Sequence, residues 1–319
     1  MMKFLFVGPR QDSGGAIVQH LLCKLLQERG YDAEIFYLSE GIVKITSLWS
    51  LLAHQIDFLR HDLSKRLKVR LFPHAKFLQK HRYKGYNYYP VKGCKRVYIP
   101  RVDDHTIVIY PEGIWGNLLH AKNVVRWFLY FNRYLGDEEA YEKDALYFSY
   151  REIFNDWQLN PTCRILHLTS FDDTLYQQTN FGARTGNCYI LHKGGDRPDL
   201  PKEFNGPIID HFSERDIVRI FNETKYCYCY DTQTFYTTIA AVCGCIPIVV
   251  PEQGKTRADY TMGDDTSYGV AYGDTEDEIA YAIATRAQLI DKVHAFKQEN
   301  ITAADYFIAE CRRYFYGAP

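Results

Sequence analysis

The chain has 319 residues, which is enough for about two domains of ordinary size. Hydrophobic residues make up 46% of it and charged residues 24%, so collagen-like, disordered and coiled-coil classes are excluded. The formal net charge of −1 does not by itself indicate a polyanionic partner.

Nine cysteines are present, an odd number in a chain too long to need a disulfide framework. Four of them form the pairs Cys227/Cys229 and Cys243/Cys245 in apolar runs, which favours buried free thiols over a metal site. The apolar stretch at 1–7 is too short for a signal peptide, and no stretch is typical of a membrane-spanning helix. We therefore expect a cytoplasmic protein with reduced thiols, without a metal or other cofactor.

The first half of the chain predicts alternating strands and helices. Apolar runs at 3–7 and 33–38 are typical of strands, and between them lies a helical pattern that ends at Gly30. This order is typical of a βαβ unit and opens a parallel α/β domain. The same criteria predict further strands at 97–100, 106–110 and 145–150, and helices at 47–71 and 121–129.

The second half repeats the alternation. Ser213 with Asp216, and Thr275 with Glu278, have the spacing of helix capping boxes. Strands are predicted at 165–168, 187–191, 226–230 and 246–250, and helices from Ser213, at 234–242, from Thr275 and from Thr302. We predict two Rossmann-like α/β domains at 1–158 and 159–301, with a basic insertion at about 45–100 and a last helix within 302–319.

Two loops of the first half follow predicted strands, where open α/β sheets place ligands. The first contains Asp12, Gly14 and Gly15, and its glycines would let a ligand approach the backbone. The second begins with Glu112, which could be a base, a sugar-hydroxyl acceptor or only a cap, and it continues to Asn117. Arg126, in the predicted helix beyond, could reach a carboxylate.

Two loops of the second half suit a phosphate. Lys193, Gly194 and Arg197 follow a predicted strand, and a cation beside a glycine suits a diphosphate, although a plain surface turn has the same composition. The second loop places an acid and hydroxyls before a helix, where they could bind an anion or only cap the helix. Its residues are Asp231, Thr232 and Thr234.

Two stretches of the chain resemble bacterial glycosyltransferases that build surface polysaccharides. The first is Tyr110-Pro111-Glu112 with Gly116-Asn117 and the segment 121–127, and the second is Tyr230-Asp231-Thr232 with 240–247. The chain is thus similar to the GT-B glycosyltransferases, which have two Rossmann-like domains facing a cleft. The resemblance spans most of the chain except about 45–95.

The resemblance implies that the two domains have different roles. The second domain would bind a nucleotide sugar, the first would bind the acceptor, and no metal would be required. The last helix would pack back on the first domain. Lys193, Arg197 and the hydroxyls at 232–238 would stabilise the leaving diphosphate. Glu112 is the first candidate for a base and Asp12 the second, while a retaining enzyme would need neither.

One position departs from the family pattern. Many retaining relatives carry two Glu residues eight positions apart before this stretch, and here those positions hold Asp231 and Ile239. An isoleucine cannot hydrogen-bond a ribose, so Thr237 and Thr238 are candidates to replace that contact. The sequence predicts a hexosyltransferase-type enzyme of capsule or lipopolysaccharide synthesis that acts on a glycan or lipid-linked acceptor. The alternative is a non-catalytic nucleotide- or sugar-binding relative.

The near-zero net charge conceals a basic segment. Residues 60–101 hold thirteen Lys or Arg and one Asp, a net charge of +12 that leaves −13 for the remainder. Four interpretations stay open: contact with an anionic membrane on the inner face of the plasma membrane, a groove for an anionic acceptor, nucleic acid, or a solvated face paired with the acidic remainder. Nucleic acid is the least favoured, and the partners predicted are small-molecule donor, acceptor and membrane.

Overall fold

The computed structural model describes residues 2–9, 14–38, 94–232, 234–261 and 267–317, and the isolated positions 49, 52, 53, 56, 60, 63, 64, 67 and 71. The chain divides into two compact units. The first comprises Met1–Ser170 with Lys297–Pro319, and the second comprises Phe171–Phe296. Asp12 and most of the predicted insertion at 45–100 lie outside the described residues.

The first unit is built on a parallel sheet of six strands in the order β3-β2-β1-β4-β5-β6. This is the strand order of a Rossmann-type domain. The strands are β1 (Lys3–Pro9), β2 (Asp32–Leu38), β3 (Arg96–Val97), β4 (Thr106–Pro111), β5 (Asn123–Phe128) and β6 (Leu146–Ser149), and helix α1 (Gly14–Glu28) joins β1 to β2. The predicted βαβ unit is confirmed.

Apolar cores cover both faces of this sheet, because alternate side chains of each strand point to opposite sides. Phe4, Ile109 and Trp127 lie in one core, together with α1 and the end of the chain. Leu5 and Val108 lie in the other. Every residue of β4 and β5 is consequently buried.

The second unit has a parallel sheet of four strands in the order β10-β9-β8-β7. The strands are β7 (Asn187–Ile190), β8 (Tyr226–Cys229), β9 (Ile246–Val249) and β10 (Ala271–Tyr272). The helices are α2 (Glu214–Glu223), α3 (Tyr236–Val242), α4 (Arg257–Thr261) and α5 (Glu276–Tyr316). The predicted α/β class with two Rossmann-like units is confirmed.

Three assignments differ from the sequence prediction. The segment 121–129 contains strand β5 rather than a helix, because a strand buried on both faces can place apolar residues at helical spacing. Thr302 does not begin a helix, since α5 runs through it without interruption. The segment 165–168 forms an isolated bridge from Ile165 to Ser149 rather than a strand.

Candidate functional site

Glu112 lies at the carboxyl edge of the first sheet, directly after β4. Its side chain is buried, and Oε2 accepts a hydrogen bond of 3.0 Å from the amide of Leu129, just beyond β5. The Nε of Arg133 is 3.9 Å from Oε1. Burial raises the pKa of this carboxyl, and the Leu129 amide and Arg133 oppose that shift. A raised pKa makes the ionised carboxylate a stronger base, which favours a role in taking a proton.

Arg126 is completely buried and holds two loops of the first unit together. Its guanidinium donates to both carboxylate oxygens of Glu142, at 2.8 and 2.7 Å, and to the Ile114 carbonyl at 2.7 Å. The group also lies over the rings of Tyr110 and Tyr141. Arg126 therefore reaches a carboxylate from a strand rather than from a helix, and it fixes the loop that carries Glu112.

Of the other three residues predicted to touch an acceptor, Asn117 and Gly15 have a structural role in the fold. Asn117 closes its own loop, since its amide group pairs with the backbone of Ala121 at 2.8 and 3.0 Å. Gly14 is exposed at the first position of α1. A Cβ on Gly15 would lie 3.2 Å from the Leu129 side chain. This glycine therefore allows α1 to begin close to the loop that follows β5.

In the second unit, the loops after β7 and β8 touch each other. The two strands are parallel with Ile190 opposite Cys229, so both chains leave the sheet at the same edge. A Cβ on Gly194 would lie 2.2 Å from the Tyr230 carbonyl oxygen. Only a glycine therefore allows this approach, and the sequence places it directly beside Lys193.

Arg197 fastens the loops that follow three neighbouring strands. It donates to the carbonyls of Tyr230, Val250 and Pro251, at 3.3, 2.8 and 3.1 Å. Asp199 accepts two hydrogen bonds from the same guanidinium, at 2.9 and 2.5 Å, and raises its pKa further. The predicted cation is present at this edge, and its described contacts are structural.

Lys193 differs from Arg197 in being exposed. Among the residues that the structure describes, its ammonium group has neither an ion-pair nor a hydrogen-bond partner. The neighbouring His192 has a φ of 37°, in the left-handed region that favours glycine. Asp210 holds this turn by accepting from the amides of Leu191 and His192, at 3.2 and 2.7 Å. Strained backbone of this kind is frequent at ligand sites.

The predicted hydroxyl-rich loop lies directly after β8. Asp231 is buried, and the Thr234 hydroxyl accepts from the amide of Tyr236, where α3 begins. The Thr237 hydroxyl donates to the Thr234 carbonyl at 2.9 Å. Ile239 is 3% exposed within the apolar core, so its position offers no polar contact to a ligand.

Sequence reasoning missed three carboxylates of these sites. Glu142 pairs with Arg126, Asp210 holds the turn at His192, and Asp199 pairs with Arg197. The pairing of Asp199 could have been predicted, because it lies two residues after Arg197. Glu142 and Asp210 lie sixteen or more residues from their partners and have no local pattern.

The cysteine pairs lie in the core of the second unit. Cys227, Cys229, Cys243 and Cys245 are all buried, as predicted, and all are free thiols. Within the described ranges, no group of His, Cys, Asp or Glu has the arrangement of a metal site. These thiols therefore serve as small apolar core residues.

Comparisons with known proteins add only a distant similarity. No protein-family model matches the chain, and no curated protein sequence matches it. Among solved structures, the chain is similar to an alpha-glucosyltransferase in complex with UDP and a 13-mer DNA, with 12% identity, 96% of this chain and 95% of that chain covered, and a TM-score of 0.40.

Two further solved structures have comparable scores. For MurG of Acinetobacter baumannii the identity is 9%, the coverage 95% of this chain and 94% of that chain, and the TM-score 0.35. For the spinosyn forosaminyltransferase SpnP the values are 12%, 98%, 94% and 0.34. Similarities of this size carry no argument, and we assign neither fold nor activity from them.

Proposed function

We propose that the protein is a glycosyltransferase that takes its sugar from a nucleotide-sugar donor. The observation that carries this proposal is the loop cluster after β7, β8 and β9, where the exposed Lys193 stands beside Gly194 on the Tyr230 backbone. An exposed cation at the carboxyl edge of a parallel α/β sheet suits a diphosphate.

In the proposed donor site, the charged residues and the hydroxyl groups have different roles. Lys193 would neutralise the charge that develops on the leaving diphosphate, and Arg197 would hold the loops in place. The hydroxyl groups and the acid after β8 would bind the remainder of the nucleotide sugar. They belong to Asp231, Thr232, Thr234, Thr237 and Thr238.

The proposed acceptor site is the carboxyl edge of the first sheet. Glu112 would take the proton of the acceptor hydroxyl if the reaction inverts the anomeric carbon, and its burial supports this role. Asp12, Gly14 and Gly15 would border the acceptor, with Asn117 and Arg126 as supports of the loops. The acceptor class that we propose is a glycan or lipid-linked glycan of surface-polysaccharide synthesis in the cytoplasm.

A nucleotide screen tests the donor assignment. We expect one of UDP, GDP, dTDP or CMP to raise the melting temperature, because a ligand at 100 times its Kd stabilises a protein by about 2.7 kcal/mol. Release of that nucleotide from its sugar conjugates would then measure turnover.

A matched pair of variants locates the site. Lys193→Ala should lower turnover about 100-fold or more, whereas Lys202→Ala, an exposed lysine of the same unit, should leave it unchanged. Full turnover in the Lys193 variant contradicts the phosphate assignment.

A second candidate function is nucleotide or sugar binding without catalysis. It is favoured by the burial of Ile239 at the position where many retaining relatives have a glutamate. A nucleotide-dependent melting shift without any turnover, with several sugar conjugates and acceptors, would support this candidate over the enzyme.

A further inference from the structure

Three aromatic rings form an exposed cluster at the carboxyl edge of the first sheet. Tyr130 and Phe131 follow β5, and Phe154 follows the neighbouring strand β6. The three centroid distances are 4.9, 5.2 and 5.0 Å, so each ring contacts the other two. Tyr130 is 53% exposed and Phe131 46%. This cluster, which we call the aromatic platform, therefore presents ring surface to solvent.

Contacts within the chain hold the platform in place. Phe131 meets Tyr130 and Phe154 edge to face, at interplanar angles of 79° and 80°, an arrangement that aromatic pairs prefer. The two loops that carry the rings are also joined, because Asn132 donates to the Asp156 carboxylate at 2.7 Å. Because the rings are ordered in this way, binding on them would cost little side-chain entropy.

The platform begins beside Glu112. The Glu112 carboxylate accepts from the amide of Leu129, and Tyr130 is the next residue, about 3.8 Å farther between Cα atoms. Arg133 lies 3.9 Å from the same carboxylate, and its side chain is 44% exposed. Among the residues that the structure describes, the Arg133 guanidinium makes no hydrogen bond. Aromatic surface, a carboxylate and guanidinium donors thus lie close together.

The charges around the platform balance. The segments 129–134 and 150–157 contain the cations Arg133 and Arg151 and the acids Glu152 and Asp156, a net charge of zero. Nucleic acid and anionic bilayers attract an excess of lysine and arginine, which these two segments lack. Among the helices in the described part of the chain, none has the length and apolarity needed to cross a bilayer. The charge balance favours a neutral occupant.

The platform is also small. Three partly exposed rings offer less than about 400 Å². A stable interface between two protein chains needs about 800 Å² from each partner. An occupant of the size of one or two sugar rings fits this surface better than a second copy of the chain does.

We propose that the aromatic platform binds a neutral pyranose ring, the acceptor sugar that Glu112 would deprotonate. A pyranose has C–H bonds on its faces and hydroxyl groups around its rim. One face would pack on the rings while rim hydroxyls bond Arg133 and Glu112, which combines an apolar wall with a few polar groups. The acceptor is then a glycan with an uncharged sugar at its reacting end. The role of Glu112 rests on the proposed function, whereas binding of the ring does not.

Saturation-transfer NMR with the full-length protein and no nucleotide tests the proposal. The probes are the methyl pyranosides of glucose, galactose, mannose and N-acetylglucosamine. We expect transfer to the ring protons of at least one of them, since the C–H bonds of the ring would face the platform. No transfer to any of the four would overturn the proposal.

Matched variants locate the binding. Phe131→Leu should lower the affinity about fivefold, because leucine keeps the apolar contact and lacks the flat ring, whereas Phe131→Tyr should keep the affinity. The control is Phe181→Leu, at an 81% exposed phenylalanine of the second unit, which should bind as the wild type does. Unchanged melting should confirm that the three variants are folded. Wild-type affinity in Phe131→Leu would overturn the proposal.

Two other occupants have their own signatures. An oligothymidylate that receives more transfer than every pyranoside, and loses it in Phe131→Leu, would assign the rings to nucleobases and overturn the proposal. So would a wild-type dimer that Phe131→Leu converts to a monomer.

Turnover separates this proposal from the proposed function. Pyranoside binding that depends on Phe131, without any nucleotide release, would contradict the enzyme and support the platform. Turnover with a glycan acceptor at the wild-type KM in Phe131→Leu would overturn the platform and leave the enzyme in place.

Discussion

Glu112 is a carboxyl group that the fold makes costly to ionise. Burial raises its pKa in the folded protein, so between the unfolded and folded values the folded state binds more protons than the unfolded state. The free energy of unfolding contributed by this group therefore decreases as the pH rises through that window, and the decrease is complete above the folded pKa.

A charge-removing variant makes this contribution measurable. The stability difference between wild type and Glu112→Gln should move in favour of the variant as the pH rises through the same window, in urea titrations at a series of pH values. Glu138→Gln, at an exposed glutamate, should show no such trend. A pH-independent difference would contradict the assigned burial. If Glu112 is the base, the variant should also transfer sugar about 100-fold more slowly or worse.

Arg126 and Glu142 form an ion pair whose arginine side chain is fully buried. Arg126→Met should lower the free energy of unfolding by about 3–5 kcal/mol, because it leaves the partner charge without its hydrogen bonds. Arg126→Met/Glu142→Leu should recover part of that loss in the same denaturant titration. A single variant as stable as the wild type would mean that the pair contributes nothing.

At the scale of elements, the loops after β7 and β8 depend on one close contact. Gly194→Ala would place a methyl group 2.2 Å from the Tyr230 carbonyl, whereas the nearest atom to a Cβ on Gly195 is at 3.5 Å. We expect Gly194→Ala to cost about 1–3 kcal/mol and to weaken nucleotide binding, while Gly195→Ala does neither. Melting and nucleotide titration of both variants measure this; equal behaviour would argue against contact between the loops.

The sequence predicted those elements whose determinants are local. Ser213 caps α2 by accepting from the Asp216 amide, as the spacing indicated. Strand β5 was mistaken for a helix, because its two buried faces remove the alternation that distinguishes a strand. Thr302 was mistaken for the start of a helix, although its hydroxyl donates to the Gln298 carbonyl within α5.

The candidate site was predictable to a similar extent. Glycines and cations after strands led to Lys193, Gly194 and Arg197, since the carboxyl ends of parallel strands share one edge. What holds them was not predictable, because Arg197 bonds carbonyls of loops more than thirty residues away. Such pairings depend on tertiary structure, and a single sequence contains no local sign of them.

At the scale of the whole molecule, the second half of α5 packs in the same core as β1 and α1. Phe307 of α5 is fully buried, and its ring lies 5.7 Å from that of Phe4 and 5.4 Å from that of Phe148. Phe307→Ala should lower the free energy of unfolding of the first unit by about 3–5 kcal/mol. Ile283→Ala, at an exposed residue of the same helix, should have little effect.

Differential scanning calorimetry, with and without a bound nucleotide, shows which of the two units Phe307→Ala destabilises. The transition of the first unit should move to lower temperature in Phe307→Ala, and nucleotide affinity should stay that of the wild type. Loss of nucleotide binding in Phe307→Ala would contradict the assignment of the donor site to the second unit.

The discontinuity of the first unit has a consequence for biosynthesis. Phe171–Phe296 is one uninterrupted stretch, so it can fold as soon as it leaves the ribosome. The first unit is synthesised earlier but obtains the side chain of Phe307 only after the second unit has been synthesised. Part of one apolar face of its sheet stays uncovered until then, and a nascent chain of this protein should depend on chaperones most during the synthesis of its second unit.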